Sequence, residues 1–301
     1  MLTILIYSLL PLVFALFLGW SGARVISLSL RQYLIKKIGY VIWILLVSVG
    51  YEFGSVLANP LVGRQVSLDA FLYASILSLT TFFLLFTQKK RVGLIHASVK
   101  KELKDIWPPI IECICAISMV VLGVLLYSLF PQVLVNTPLT TYLLYIVIVL
   151  IGIDLASIKI ERFTFGHIYV PLMVILTLFI AAFFTSYVLD YKFSTLMMVG
   201  SGFGWFSLSG SLVAKLTTNE LGSFALLTDL IRELYAIILL YIFGQYRSHA
   251  VIGVCGATAM DSTLPFVKKN CSDLDVQIAI FSGFILTILA PFFITFFASF
   301  R

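Results

Sequence analysis

Charge is what this chain has least of: only 11% of its 301 residues are Asp, Glu, Lys or Arg, against about a quarter in an ordinary soluble domain. With 61% hydrophobic residues, that scarcity excludes a water-soluble fold, which has no way to hide so much apolar surface. No hydrophilic block separates the apolar runs, so residues 1–301 read as a single integral membrane domain. Histidine is scarce as well: His96, His167 and His249 lie in or beside loops and do not cluster, so neither a metal centre nor a histidine relay is indicated. Cys113, Cys115, Cys255 and Cys271 show no paired metal-ligand spacing and are expected to be packing residues. No metal and no cofactor are expected. The first apolar run lacks a basic leader and a small-residue cleavage site, so it is expected to be a genuine segment of a mature chain starting at Met1.

What is abundant is apolar sequence in runs near the length that crosses a hydrocarbon core of about 30 Å as a helix. Ten such segments follow one another, at about residues 2–20, 38–58, 67–87, 108–130, 140–157, 166–188, 195–213, 221–243, 250–267 and 276–300. The fold class is therefore an all-α polytopic membrane protein embedded in the lipid bilayer. The formal charge of +6 does not point to nucleic acid, because its basic residues are sorted by loop. Arg24, Arg31, Lys36 and Lys37, then Lys89, Lys90, Arg91, Lys100, Lys101 and Lys104, then Lys159 and Arg162 fall on one side if the first six segments each span; only Arg64 and Lys192 fall on the other. That bias makes the basic side cytoplasmic and places both termini outside. The expected location is a bacterial inner, or cytoplasmic, membrane.

Segments two and five share a pattern, GYEFGS from Gly50 to Ser55 and GIDLAS from Gly152 to Ser157. Three segments of offset would make the copies cross in opposite directions, the inverted-repeat arrangement of many secondary transporters. Residues 1–190 are thus expected to hold repeat-like helices and 191–301 a motif-bearing core. In that core, segment 195–213 carries SGFGWFSLSG (Ser201–Gly210) and segment 250–267 carries CGATAMDSTLP (Cys255–Pro265). Glycine, serine and threonine at midspan give nothing to a straight lipid-facing helix, and proline interrupts one. Irregular backbone at that depth survives only enclosed by protein or lining a wet cavity. The expectation is eight spanning helices plus two re-entrant or broken ones; the charges fit either arrangement, and the short, polar-centred second motif favours re-entry.

Segment eight contains TDLIRELYAI, with Asp229, Arg232 and Glu233 in an otherwise apolar helix. Each mid-membrane charge costs roughly 2.5 to 3.5 kcal/mol on insertion scales, so three together need a compensating role. Arg232, three residues from Asp229, is placed to neutralise one carboxylate within the helix. The other, joined by Asp261 from the neighbouring motif, leaves a local excess of negative charge that suits a cation. A buried carboxylate lacking a fixed cation can exchange protons near neutral pH and so couple proton movement to substrate movement. Glu52, Asp154 and Glu112 are weaker candidates with interfacial placement, as is Asp69.

These three motifs, GSGFGWFSLSG (Gly200–Gly210), TDLIREL (Thr228–Leu234) and CGATAMDSTLP (Cys255–Pro265), resemble the LysO-type lysine exporters, bacterial inner-membrane proteins that expel L-lysine and its toxic analogue thialysine. Order and spacing match over about residues 198–265; elsewhere the likeness is in length, hydropathy and segment pattern. The resemblance implies both termini outside and dependence on two membrane-embedded acids, here Glu233 and Asp261. The family is also similar to cation/proton antiporters, whose cores hold crossed, broken helices in inverted halves. Two departures stand out: Phe206 where tyrosine is common, and Ser262 where phenylalanine is common. Both flank site residues and so bear on which basic amino acid is preferred.

The expected function is export of L-lysine or a close cationic analogue by alternating access, with antiport of a proton or, second, Na+. In that scheme Glu233 and Asp261 attract the ammonium groups and carry the coupling proton, each contact worth about 4 kcal/mol before desolvation, with Asp229 contributing to the same negative pocket. The substrate carboxylate faces backbone amides at the breaks, where Gly202, Gly204 and Gly256 permit close approach. Ser207, Ser209, Thr258 and Thr263 offer hydroxyls, and Trp205 a face for the aliphatic stem. The alternatives are a transporter of another basic amino acid or cation, a passive channel or receptor, and an intramembrane aspartyl enzyme using Asp229 and Asp261. No Gly-x-Gly-Asp motif and no Ser–His or histidine–metal set supports an enzyme, so no catalytic residue is assigned. The oligomeric state is left open, a homodimer included.

Overall fold

The computed structural model describes residues 2–57, 59–86, 107–131, 139–156 and 165–300, with some side chains within those ranges left out. The basic loops at 87–106 and 157–164, and the side chains of Glu112 and Cys113, lie outside the described residues. Among the described residues every regular element is helical. In chain order these are α1 (Leu2–Gly22), α2 (Leu28–Glu52), α3 (Gly54–Leu57), α4 (Pro60–Phe86), α5 (Trp107–Leu129), α6 (Leu139–Leu155) and α7 (Phe165–Val188). There follow α8 (Phe193–Gly200), α9 (Phe206–Leu216), α10 (Asn219–Phe243), α11 (Ser248–Cys255), a 3-10 turn (Gly256–Met260), α12 (Leu264–Asn270) and α13 (Asp273–Ala298). Of these, α2, α4, α7 and α13 are each long and apolar enough to cross a membrane.

Side-chain contacts fix the direction of each helix. Along α4 and α10 the pairs run in step: Tyr73 stacks near Phe224, Ser75 Oγ lies 2.9 Å from Tyr235 Oη, and Phe82 packs on Phe243. The two helices are therefore parallel. The Arg247 guanidinium, just past α10, sits 4.2 Å over the Phe86 ring at the end of α4. The bundle thus has a Pro60 end, where α4 and α10 begin, and a Phe86 end, where they finish. Helix α7 runs the opposite way, with Thr177 beside Thr81.

Both interrupted segments fold back on themselves. Tyr191, just before α8, donates to Asp69 Oδ2 and packs against Phe224 near the Pro60 end. Helix α9 returns to that same end, where Thr218 caps α10 by accepting from Leu221 N. Between them the chain reverses at Phe203 (φ 52°) and Gly204 (φ 93°). The second segment enters from the Phe86 end: Ser248, opening α11, donates to Asp275 of α13, and Asn270, closing α12, lies against Gly244 at the end of α10. Ser272 and Asp275 form a capping box that starts α13 beside it. Arms of 7 to 11 residues reach about 10 to 16 Å, roughly a third to a half of a hydrocarbon core. The two tips accordingly meet in the middle, where Ala257 N donates to Phe203 O at 2.8 Å.

Packing does not follow chain order. Helices α1, α2, α5 and α6 form one group, with α1 on α6 and α2 on α5, while α4 and α7 join the hairpins, α10 and α13. Glycines make both contacts in the first group. A Cβ on Gly50 would lie 2.2 Å from Val120 O, and one on Gly152 would lie 2.3 Å from Leu16 O, so these helices touch backbone to backbone. The two copies of the sequence pattern therefore share a glycine because each marks a helix crossing, and their acids Glu52 and Asp154 stand at opposite ends of the bundle.

At the junction of the hairpins, Gly256 combines φ 63° and ψ −127°, a conformation open essentially to glycine alone, with a would-be Cβ 2.2 Å from Phe203 O. Gly256→Ala is expected to lower stability by at least about 1–3 kcal/mol, read as a fall in the melting midpoint of the detergent-solubilised protein. Gly39→Ala, with nothing within 4 Å of its Cβ, should melt with the wild type.

Candidate functional site

Helix α10 passes the point where the hairpin tips meet, and its charged residues serve the interrupted backbone there. Asp229, fully buried, accepts from Gly204 N through Oδ1 at 2.8 Å. That amide belongs to the break leading into α9, whose start carries partial positive charge. Arg232, 1% exposed, turns the other way: Nε donates to Val254 O at 3.1 Å and Nη2 to Gly253 O at 3.3 Å. These are the last carbonyls of α11, orphaned by the break and partially negative. The expected ion pair between Asp229 and Arg232 is therefore not what holds them. Each caps a different hairpin, because a broken helix offers a buried charge a nearer and more fixed partner than a neighbour three residues away.

The glycines follow the same logic. A Cβ on Gly202 would fall 1.8 Å from Asp229 Oδ2, and one on Gly204 3.1 Å from Cys255 O. Gly202, Gly204 and Gly256 thus make room for the Asp229 carboxylate and for the opposite hairpin. The amides expected to receive a substrate carboxylate are engaged internally, Gly204 N by Asp229 and Ala257 N by Phe203 O. The hydroxyls are largely engaged too. Thr258 Oγ1 donates to Cys255 O, Thr263 Oγ1 donates to Thr258 O, and the Ser209 hydroxyl points to Phe206 O at 3.5 Å. The two threonines satisfy carbonyls at the second break and keep only lone pairs to offer a cation, whereas Ser209 also lies beside the Asp229 carboxylate. Ser207 and Trp205 are buried at the start of α9.

Glu233 is the member of the charged trio that faces the second hairpin. It is 5% exposed, and Ser262 Oγ donates to its Oε1 at 2.5 Å. Asp261 is the residue before that serine, so the two acids flank one short stretch of chain between the 3-10 turn and α12. Asp261 is itself exposed whereas Glu233 is buried, which corrects the expectation that both acids are enclosed. Sequence reasoning marked Ser262 only as a departure from a family pattern and missed its contact with Glu233. It also missed Tyr73 of α4, whose hydroxyl donates to Leu196 O and pins the outgoing arm of the first hairpin. Among the described residues no group of His, Cys, Asp and Glu is placed to hold a metal ion, and Cys115, Cys255 and Cys271 form no disulfide.

Apolar helices enclosing two opposed hairpins whose tips are stitched by buried charges define a polytopic helical membrane protein with an interrupted centre. Comparison with known proteins gives the family: the model for "Lysine exporter LysO" matches residues 117–298, more than half of the chain, and the chain belongs to that family. It is 34% identical over 167 residues to the lysine exporter LysO of Escherichia coli, covering 54% of this chain and 56% of that protein. It is 38% identical over 100 residues to a putative lysine exporter of Haemophilus influenzae, covering 33% of this chain and 51% of that protein. The chain spans about half the length of the curated relatives it matches. No solved structure matches it.

Proposed function

We propose that this protein is a secondary transporter of a bacterial inner membrane that exports L-lysine, and close analogues such as thialysine, in exchange for protons. The observation that carries the proposal is Glu233, an enclosed acid on an apolar helix, held by Ser262 beside Asp261 within the region that matches the exporter family. Lysine's ammonium groups and protons compete there for the same negative charge, with the Thr258 and Thr263 lone pairs nearby. Na+ in place of the proton is the second option for coupling.

Orientation follows the basic loops: the Phe86 end is cytoplasmic, and eight helices (α1, α2, α4–α7, α10 and α13) cross the membrane while the two hairpins enter from opposite faces. An inverted relation between α1–α2 and α5–α6 is supported by the two glycine crossings, and between the hairpin–α10 and hairpin–α13 units by their opposite directions of entry. Alternating access then moves the hairpin-bearing group of helices against α1, α2, α5 and α6. Protons reaching Glu233 and Asp261 from outside displace lysine outward, and their release inside resets the site.

The test is physiological first. Cells lacking their own exporter should survive thialysine or lysyl dipeptides better when they express this chain, and everted vesicles should move lysine when a pH gradient is imposed. Unchanged sensitivity together with no gradient-driven lysine movement would overturn the proposal, whereas movement driven by a sodium gradient alone would replace the proton with Na+.

A further inference from the structure

Away from the hairpin tips, at the Pro60 end, lies a polar cavity of about 260 Å³ between the two helix groups. Its walls carry opposite charges. Glu52, the last residue of α2, stands on one side with Thr140 of α6 beside its carboxylate, and Lys215, in the last turn of α9, on the other. Lys215 Nζ donates to Tyr145 Oη at 2.9 Å and lies 5.0 Å from that ring's centre, which holds the ammonium in place; no ion pair joins it to Glu52. Asn219 donates through Nδ2 to Glu52 O and ties the start of α10 to this rim.

Two opposite charges that share a cavity without neutralising each other are arranged for a ligand carrying both signs. A cavity this size is somewhat smaller than those that take drug-sized molecules, about 300 Å³ and upward, and suits a free amino acid. We infer that this cavity binds the α-ammonium and α-carboxylate of an amino acid, Glu52 taking the ammonium and Lys215 the carboxylate. The central amides are already engaged, so Lys215 is the group that reads the carboxylate, and this is a release site on the outward path. Glu52 belongs to one helix group and Lys215 to the other, so the ligand bridges the two groups only while they are in this relative position. The role as a release site rests on the export reading above; the binding itself does not.

The experiment uses the full chain in lipid nanodiscs with Glu233→Gln, which disables the central site, and titrates L-lysine, L-alanine and cadaverine. L-lysine and L-alanine should saturate one site with similar affinity, because both present the same zwitterion, and cadaverine, which lacks a carboxylate, should bind at least about tenfold more weakly. Adding Glu52→Gln or Lys215→Gln should weaken both amino acids by about tenfold or more, with the melting midpoint unchanged. Cadaverine binding as tightly as L-lysine, absence of any binding with Glu233→Gln, or indifference to both substitutions would overturn the inference. If the wild type exports no lysine yet L-alanine still binds in a manner sensitive to Glu52 and Lys215, the export reading fails and the zwitterion site stands.

Discussion

Glu233→Gln is expected to abolish lysine-driven proton flux in proteoliposomes, down to the level of protein-free vesicles, while the protein keeps its melting midpoint. The amide retains the size of the carboxylate and an oxygen that accepts from Ser262 Oγ, so the local hydrogen bond and packing survive. What disappears is an enclosed negative charge beside the second hairpin that, in the proposed mechanism, a proton neutralises and an ammonium replaces. A glutamate only 5% exposed on a helix lined by Leu230 and Ala236 is costly to keep in an apolar setting, and the substitution removes that penalty. A stability equal to or slightly above the wild type, combined with no flux, is the signature of a group kept for function. Flux at the wild-type rate would remove Glu233 from the mechanism.

Arg232→Met is expected to produce the largest loss of stability, about 3–5 kcal/mol, read as a large fall in the melting midpoint and in the yield of monodisperse protein. Methionine fills much of the space but donates nothing. The carbonyls of Gly253 and Val254 lose their donors in a buried setting, and Asp229 loses its nearest compensating charge. Asp229→Asn is far milder, because an amide oxygen can still accept from Gly204 N. The double substitution Asp229→Asn, Arg232→Met should recover part of the loss, since it removes the uncompensated buried charge while leaving the two carbonyls without donors. Arg232→Lys should fall between, as an ammonium is a single point of donation where the guanidinium serves two carbonyls. A melting midpoint for Arg232→Met equal to the wild type would show that the end of α11 needs no cap.

Much of this arrangement could be read from the chain. The apolar runs located the helices, and the glycine- and serine-rich motifs located both interruptions because no straight lipid-facing helix uses those residues. The charged trio in α10 announced side chains that must find polar partners in the interior, and all three are buried. What the sequence could not supply was the partner of each charge. Spacing of three residues puts Asp229 and Arg232 on neighbouring faces of α10, but whether they meet depends on where other helices end. Their partners here are a peptide N–H at Gly204 and carbonyls at Gly253 and Val254, backbone groups that no side-chain pattern displays.

For the same reason the glycines at 202, 204 and 256 read as openings for a ligand, whereas each is filled by another part of the protein. Packing also regrouped the chain. Helices α4 and α7, which hydropathy places among the repeat-like segments, join the hairpins through contacts such as Tyr73 to Leu196 O and Thr81 to Thr177. Hydropathy reports depth and says nothing of which neighbour a helix chooses. Ser262 was visible only as an unusual residue, since a hydroxyl gains its meaning from the carboxylate it touches.

In the proposed mechanism everything turns on competition between lysine and protons for the charge at Glu233 and Asp261. It is tested most directly by measuring proton release when L-lysine is added to the purified, weakly buffered protein, together with lysine affinity across a pH series. Lysine binding should expel protons, its affinity should fall as the pH is lowered, and Glu233→Gln should lose most of both effects. Lysine binding of equal strength at every pH, with no proton released, would contradict that mechanism.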